Sequence, residues 1–327
     1  MNHRRKLIGV LGAATLHSSL GAIAQTAPAA PRVVLLIAGS MRTQSERVDT
    51  FRKRLRELGY TEGKNLILEV RELDGRVDQL PAIMREIVQS NPAVIVTHGA
   101  GIQAARAATS TIPVVIAIGG DPVIGGYAVS LARPGGNFTG NAMIQSLVFE
   151  KNIEILHEMV PKASRVALLT NPRRAGHEAG KKIFEAAAAT RNLKAVIVHA
   201  SGVQEIPKAF AEAVAQRADM LVVAYYDTFA IDPKQVPELA ARHRLPVIYP
   251  LDAHIAHGGL VSYGFSSAGL FGNAAVFVDR ILKGRKPAEL PFEQPTRFEM
   301  VINMQTARAL GLTIPHAVLV RADRVIE

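Results

Sequence analysis

Residues 94–123, VIVTHGAGIQAARAATSTIPVVIAIGGDPV, decide how the chain is organised. Residues 94–97 are a short β-branched run, the composition of a buried strand. His98-Gly99-Ala100-Gly101 makes a loop, and residues 102–108 are helical in pattern. Pro113 opens a second apolar run that ends at Ile118, where Gly119-Gly120-Asp121-Pro122 breaks it. Strand, loop, helix, strand, loop is a βαβ unit, in which the two strands run parallel. Both loops then lie at the carboxyl ends of adjacent strands, where open α/β sheets bind ligands. Half of any small-molecule site is expected here.

Working outward, the same alternation continues on both sides. Residues 32–38 (RVVLLIA) form a continuous apolar run, the pattern of a strand covered on both faces. A loop with Ser40 and Met41 follows, and residues 44–58 place Val48, Phe51, Leu55 and Leu58 on one helical stripe. Residues 66–70 read as a strand and 78–89 as a helix. After the break at 131–137 and an extended segment at 138–143, a second run begins. Strands are expected at 165–169, 195–199, 220–224 and 246–249, with helices at 147–160, 177–190, 207–216 and 233–243. The sequences do not repeat, but the pattern does. The fold expected is α/β: two Rossmann-like lobes with parallel sheets, lobe 1 at 32–142 and lobe 2 at 143–261. A segment at about 262–295 is expected to return to lobe 1, so that two crossings make a hinge. Residues 296–327 are not assigned to either lobe.

The amino terminus has its own chemistry. Arg4, Arg5 and Lys6 precede an apolar stretch, and Ala22-Ile23-Ala24 is an A-x-A cleavage site. Residues 1–24 therefore read as a cleavable signal peptide, with 25–31 as a linker. Its loss removes three of the 38 Lys and Arg and no acid, which leaves +7 against the 28 Asp and Glu. The chain has no cysteine, which excludes disulfides, thiol catalysis and a lipid-anchored amino terminus. The expected location is the periplasm. The one basic cluster, Arg52-Lys53-Arg54 with Arg56, is interleaved with Asp49 and Glu57 and reads as a solvated helix face, so no nucleic-acid partner is expected.

Catalytic signatures are sparse. Gly264-Phe265-Ser266-Ser267-Ala268 fails as G-x-S-x-G at its last position, and neither a phosphate-binding loop nor a dinucleotide fingerprint follows any strand. His254 and His257 form an H-x-x-H pair better read as capping or surface histidines than as a metal site. No metal, cofactor or catalytic residue is expected. His98 reads as a site-lining or packing residue, with general-base chemistry as the remote alternative. Asp121 serves either a ligand ammonium or its own turn. Gly99 and Ala100 open a helix whose free amides suit a ligand carboxylate, or they form a plain tight turn. Tyr225, Tyr226 and Tyr249 end strands of the second unit and offer aromatic faces. Asn171, Arg173 and Asp227 are polar candidates in the same loops.

A set of ordered motifs then points to a family. These are residues 54–60 (RLRELGY) with 62–65 (EGKN), 107–115 (AATSTIPVV), 120–123 (GDPV), 130–140 (SLARPGGNFTG), 258–264 (GGLVSYG) and 279–287 (DRILKGRKP). Together they resemble a bacterial family of ABC-transporter substrate-binding proteins that includes tryptophan-binding members. The resemblance implies a type I periplasmic-binding-protein fold, a ligand held between two lobes, and no catalysis. It places contacts at Ser40, Met41, residues 98–100, Asp121, Asn171 and residues 225–227. It also implies an ABC permease of the inner membrane as partner, with the chain acting as a monomer. The chain departs from the family's usual residues at 99–101 and 225–227, both in the expected cleft. An amino acid or related zwitterion, aromatic or not, is the ligand class expected. A ligand sensor not coupled to transport is the alternative.

Overall fold

The computed structural model describes residues 30–327 apart from 38, 75, 144–145, 175, 226–232 and 296–297. The expected signal peptide and most of the expected linker lie outside the described residues.

The first sheet contains β1 (Arg32–Ile37), β2 (Ile67–Glu72), β3 (Val94–His98), β4 (Val114–Ile118) and β5 (Phe138–Gly140), in the order 2-1-3-4-5. All its pairings are parallel. Between the strands run α1 (Met41–Glu57), α2 (Leu80–Gln89) and α3 (Ala100–Ala108). The period-2 alternation of a strand explains the unbroken apolar run of β1. Val33, Leu35 and Ile37 join a core with Val48, Phe51 and Leu55 of α1. Val34 and Leu36 join a separate core with Met84 and Ile87 of α2 and Ile102 and Ala105 of α3. The basic residues of α1 are held by local acids, Arg54 to Glu57 at 2.8 Å and Arg52 to Glu62 at 3.6 Å.

The second lobe begins with α4 (Ser146–Met159) and continues through β6 (Arg165–Thr170), α5 (His177–Ala189), β7 (Lys194–His199), α6 (Ile206–Ala215), β8 (Met220–Val223), α7 (Gln235–His243), β9 (Val247–Tyr249) and β10 (Val261–Phe265). The same alternation recurs: Val166 and Leu168 of β6 pack with α4 and α5, while Ala167 and Leu169 pack with α6 and α7.

The sheet pairings set the boundaries at the carboxyl side. The return to lobe 1 does not start at 262. Val261 and Ser262 pair in parallel with Ile248 and Tyr249, so β10 is a strand of the second sheet and the return starts after Phe265. The helix α8 (Ser267–Leu282) then covers the first sheet, with Phe271, Ala274, Phe277 and Val278 buried against β1, β3 and α1. The carboxyl-terminal segment, assigned to neither lobe from sequence, leaves lobe 1 again in a third crossing to form β11 (Phe298–Asn303), α9 (Met304–Ala309), α10 (His316–Leu319) and β12 (Arg324–Ile326). The full order of the second sheet is 12-11-10-9-8-6-7. β11 runs antiparallel to β10. The reason is where the chain re-enters. β10 leaves at the carboxyl end of its sheet, and a strand returning from lobe 1 enters at that same end and must run the other way.

Buried polar groups tie the returning segments to lobe 1. Asn141 donates through Nδ2 to the carbonyls of Ala117 (2.7 Å) and Leu270 (2.9 Å), and its Oδ1 accepts from Asn273 (2.8 Å). Asn273 also donates to Glu293, which Arg280 holds at 2.7 Å. At the far end of α8, the Tyr60 hydroxyl donates to Asp279 at 3.1 Å. Burial and then that bond push the Tyr60 phenol up to about 12. A phenol whose folded value is raised stabilises the fold fully below its unfolded value of about 10, and that contribution is lost as pH rises through 10 towards 12. Tyr60→Phe is therefore expected to flatten the fall in stability over that window relative to the parent chain. Urea midpoints at pH 8 and pH 11 check it; an equal loss in both proteins would sink the assignment.

Candidate functional site

The cleft lies between the carboxyl ends of the two sheets and has a volume of about 720 Å³. That is within the range of sites that hold a small molecule.

The lobe 1 wall comes from the two loops of the 94–123 stretch. Gly99 caps α3 with φ 59° and ψ −124°, a conformation that side chains other than hydrogen avoid. A methyl group at Gly101 would come within 2.1 Å of the Thr97 hydroxyl oxygen, so this glycine lets α3 lie directly on β3. Gly99, the cap of α3, brings no side chain to its first amides. Ile102, Gln103 and Arg106 project from the helix onto the wall, and Arg106 donates to the carbonyl of Gly125 at 3.1 Å. Asp121 is half-buried on the same wall. Its Oδ1 accepts from the amides of Val123 (2.8 Å) and Ile124 (3.1 Å), so one carboxylate oxygen shapes the turn. Ile124 and Tyr127 complete this side.

The lobe 2 wall is the β6–α5 connection and the first turns of α5. Asn171 is buried, and its Oδ1 accepts the amide of Arg173 at 2.9 Å. That turn sets Arg173 and Arg174 on the cleft. Gly176, Ala179 and Gly180 give α5 a shallow face, and a methyl group at Gly176 would stand 3.3 Å from Ile124 of the opposite lobe. The start of α5 is held to β6 by His177, whose Nδ1 lies 3.2 Å from the Thr170 hydroxyl. Burial, then the neighbouring His199, keeps the His177 imidazole below its ordinary value. Met143 and Tyr225 form the floor.

Of the residues singled out from the sequence, Gly99, Asp121, Arg173 and Tyr225 come together on this cleft. Others sit elsewhere. Ser40 caps α1 through its carbonyl, and Met41 packs on the lobe 1 core while its amide donates to Glu72 at 2.9 Å. His98 is buried with its ring edge-on to Phe271 at 5.6 Å, so it packs the end of β3 against α8. Ala100 packs on the core beneath α3. Asn171 shapes its loop instead of lining the cleft. Tyr249 is the clear correction. It is fully buried in the second lobe and stacks on His254 at 4.9 Å, because its strand position points into the α6–α7 face. His254 is thus a core histidine and not a surface one, with Nδ1 3.2 Å from the Leu251 carbonyl. Tyr226 and Asp227 lie outside the described residues. Among the described residues no cluster of three or more His, Asp or Glu is arranged to hold a metal ion.

Sequence reasoning missed Gln103, Arg106, Ile124, Tyr127 and Arg174. Gln103 and Arg106 were legible in principle, as polar residues three apart on the first turns of a helix that begins at the site. Tyr127 was not, because it is reached only through the turn that Asp121 closes.

Two α/β lobes with a cleft at their facing strand ends define a type I periplasmic binding protein. The chain belongs to the ABC transporter substrate binding protein family, whose model matches residues 33–326. It is 24% identical over 263 residues to a tyrosine-binding protein of Clostridioides difficile, covering 80% of this chain and 75% of that protein. Among solved structures it is similar to a conserved domain protein from Vibrio cholerae, at 28% identity and TM-score 0.82, over 90% of this chain and 99% of that one. It also shares its fold with a Streptococcus pneumoniae ABC domain solved in complex with L-Trp, at 22% identity and TM-score 0.83, over 91% of this chain and 100% of that one. Among the described residues, no helix is long and apolar enough to cross a membrane.

Proposed function

We propose that this chain is the exported solute-binding component of an ABC importer, and that it captures a zwitterionic aromatic amino acid in the interlobe cleft. The observation that carries this reading is the charge set across the cleft: Asp121 on the lobe 1 wall, where Arg106 is turned onto the Gly125 carbonyl, and Arg173 and Arg174 on the lobe 2 wall. Because Oδ1 of Asp121 is used by its turn, Oδ2 takes the ligand ammonium through a charge-assisted hydrogen bond. The ligand carboxylate goes to the guanidinium fork of an arginine or to the amides that open α3. Ile102, Ile118, Tyr127 and Tyr225 supply apolar and aromatic surface for a ring. The ligand classes named for the C. difficile and S. pneumoniae proteins agree with this chemistry. The three crossing segments act as the hinge, and closure presents the loaded chain, as a monomer, to an inner-membrane permease. The amino-terminal leader directs it to the periplasm. The role is capture without turnover, with no metal or cofactor.

Thermal unfolding with added solutes tests the reading. L-Tyr, L-Trp and L-Phe are expected to raise the melting temperature by mass action, about 2.7 kcal/mol of stabilisation at 100 times Kd. Tyramine, which lacks the carboxylate, and N-acetyl-tyrosine, which lacks the ammonium, are expected to give far smaller shifts. If no amino acid shifts the transition while a neutral sugar or nucleoside does, the charge-pair reading is wrong.

A further inference from the structure

Beneath the floor of the cleft lies a second, much smaller chamber of about 20 Å³. It shares Met143 and Tyr225 with the cleft above it, and Val148, Phe149, Val223 and Phe265 enclose it. One side chain on this apolar wall is out of keeping. Asn152 of α4 is 1% exposed, and its Oδ1 has no hydrogen-bond partner. A buried acceptor left unpaired is costly, and native chains keep very few of them without a purpose. The volume is that of a single water, but a trapped water needs two to four polar partners, and these walls offer little beyond the amide itself.

We propose that Asn152 reads the far end of the ligand's side chain, and that the ligand it selects is an aromatic amino acid whose ring bears a hydroxyl. The proposal rests on the cleft being an amino-acid site. The charged end of the ligand lies between Asp121 and the arginines, the ring lies over the cleft floor, and its tip meets the amide at Met143 and Tyr225. An Asn amide sets an acceptor beside a donor, and a phenol hydroxyl donates and accepts at one atom. An indole N–H satisfies only Oδ1, and a phenyl ring satisfies neither. A site built to bond a hydroxyl discriminates against the ligand that lacks it, because its own buried polar group is then left unpaired.

The test is calorimetric titration of L-Tyr, L-Trp and L-Phe into the wild-type chain and into Asn152→Leu. The wild type is expected to bind L-Tyr at least tenfold more tightly than L-Phe, with L-Trp between them. Asn152→Leu is expected to lose about tenfold or more for L-Tyr, to keep L-Phe within about threefold, and to melt no lower than the wild type without ligand, since an unpaired buried acceptor has been removed. An unchanged Tyr-to-Phe ratio in the variant, or a wild type that does not separate the two, overturns the proposal while leaving the cleft reading in place. If none of the three binds the wild type, the cleft reading fails with it. Should Asn152→Leu not fold, Asn152→Ala provides the same comparison with the same overturning result.

Discussion

Asp121→Asn is expected to weaken binding of a zwitterionic amino acid by roughly 30- to 1000-fold while leaving the ligand-free chain as stable as before. The two effects separate because the carboxylate has two duties. Oδ1 accepts from the amides of Val123 and Ile124, and an Asn carbonyl oxygen accepts the same pair. What Asn lacks is charge, and truncating one partner of a half-buried charge pair costs about 2–4 kcal/mol. Asp121→Ala removes both duties. It is expected to match the loss in affinity and to lower stability by about 1 kcal/mol in addition, as the turn that carries Ile124 and Tyr127 loses its bonds. Calorimetric titration together with thermal melting distinguishes the variants. Wild-type affinity in Asp121→Asn would mean that the carboxylate serves only its turn and that the ligand's ammonium is held elsewhere.

Asn141→Leu is expected to destabilise the chain by about 2–4 kcal/mol, with little change in the urea dependence of unfolding. The substitution keeps volume but deletes bonds to two main-chain carbonyls, Ala117 of β4 and Leu270 of α8, and the contact to Asn273. Those bonds lie where the end of β5, the returning helix and the third crossing meet: the amide of Glu293 donates to the carbonyl of Gly140, and the amide of Ala142 to that of Glu293, both at 3.0 Å. Chemical denaturation of both proteins reads the difference. A change below about 1 kcal/mol would show that packing of α8 on α1, and not this polar junction, secures the return.

The fold was legible because its signals are local and repeated. The apolar runs at 33–37, 94–96 and 114–118 are buried end to end, and the helices between them carry single apolar stripes. A parallel sheet covered on both faces demands that pattern, and little else produces it twice in one chain. The cleft was legible where it is made of loops that directly end strands: Gly99 after β3, Asp121 after β4, Arg173 after β6 and Tyr225 after β8. The same rule misplaced Tyr249. A residue at the end of a strand faces either the cleft or a sheet face, and the period-2 alternation that decides between them depends on the strand's register with its neighbours.

Hydrophobic periodicity and chain breaks are enough to set the class of fold, the number of lobes and the strand ends that border the cleft. The long-range packing alone shows that β10 belongs to the second sheet, that the chain crosses a third time and re-enters antiparallel, and that Asp121 and Arg173, some fifty residues apart, line one cleft from opposite lobes. It also places the unpaired Oδ1 of Asn152 beneath the cleft floor. Each of those is a long-range relation, set by which elements share a core and from which end the chain enters it. A local pattern carries no information about either.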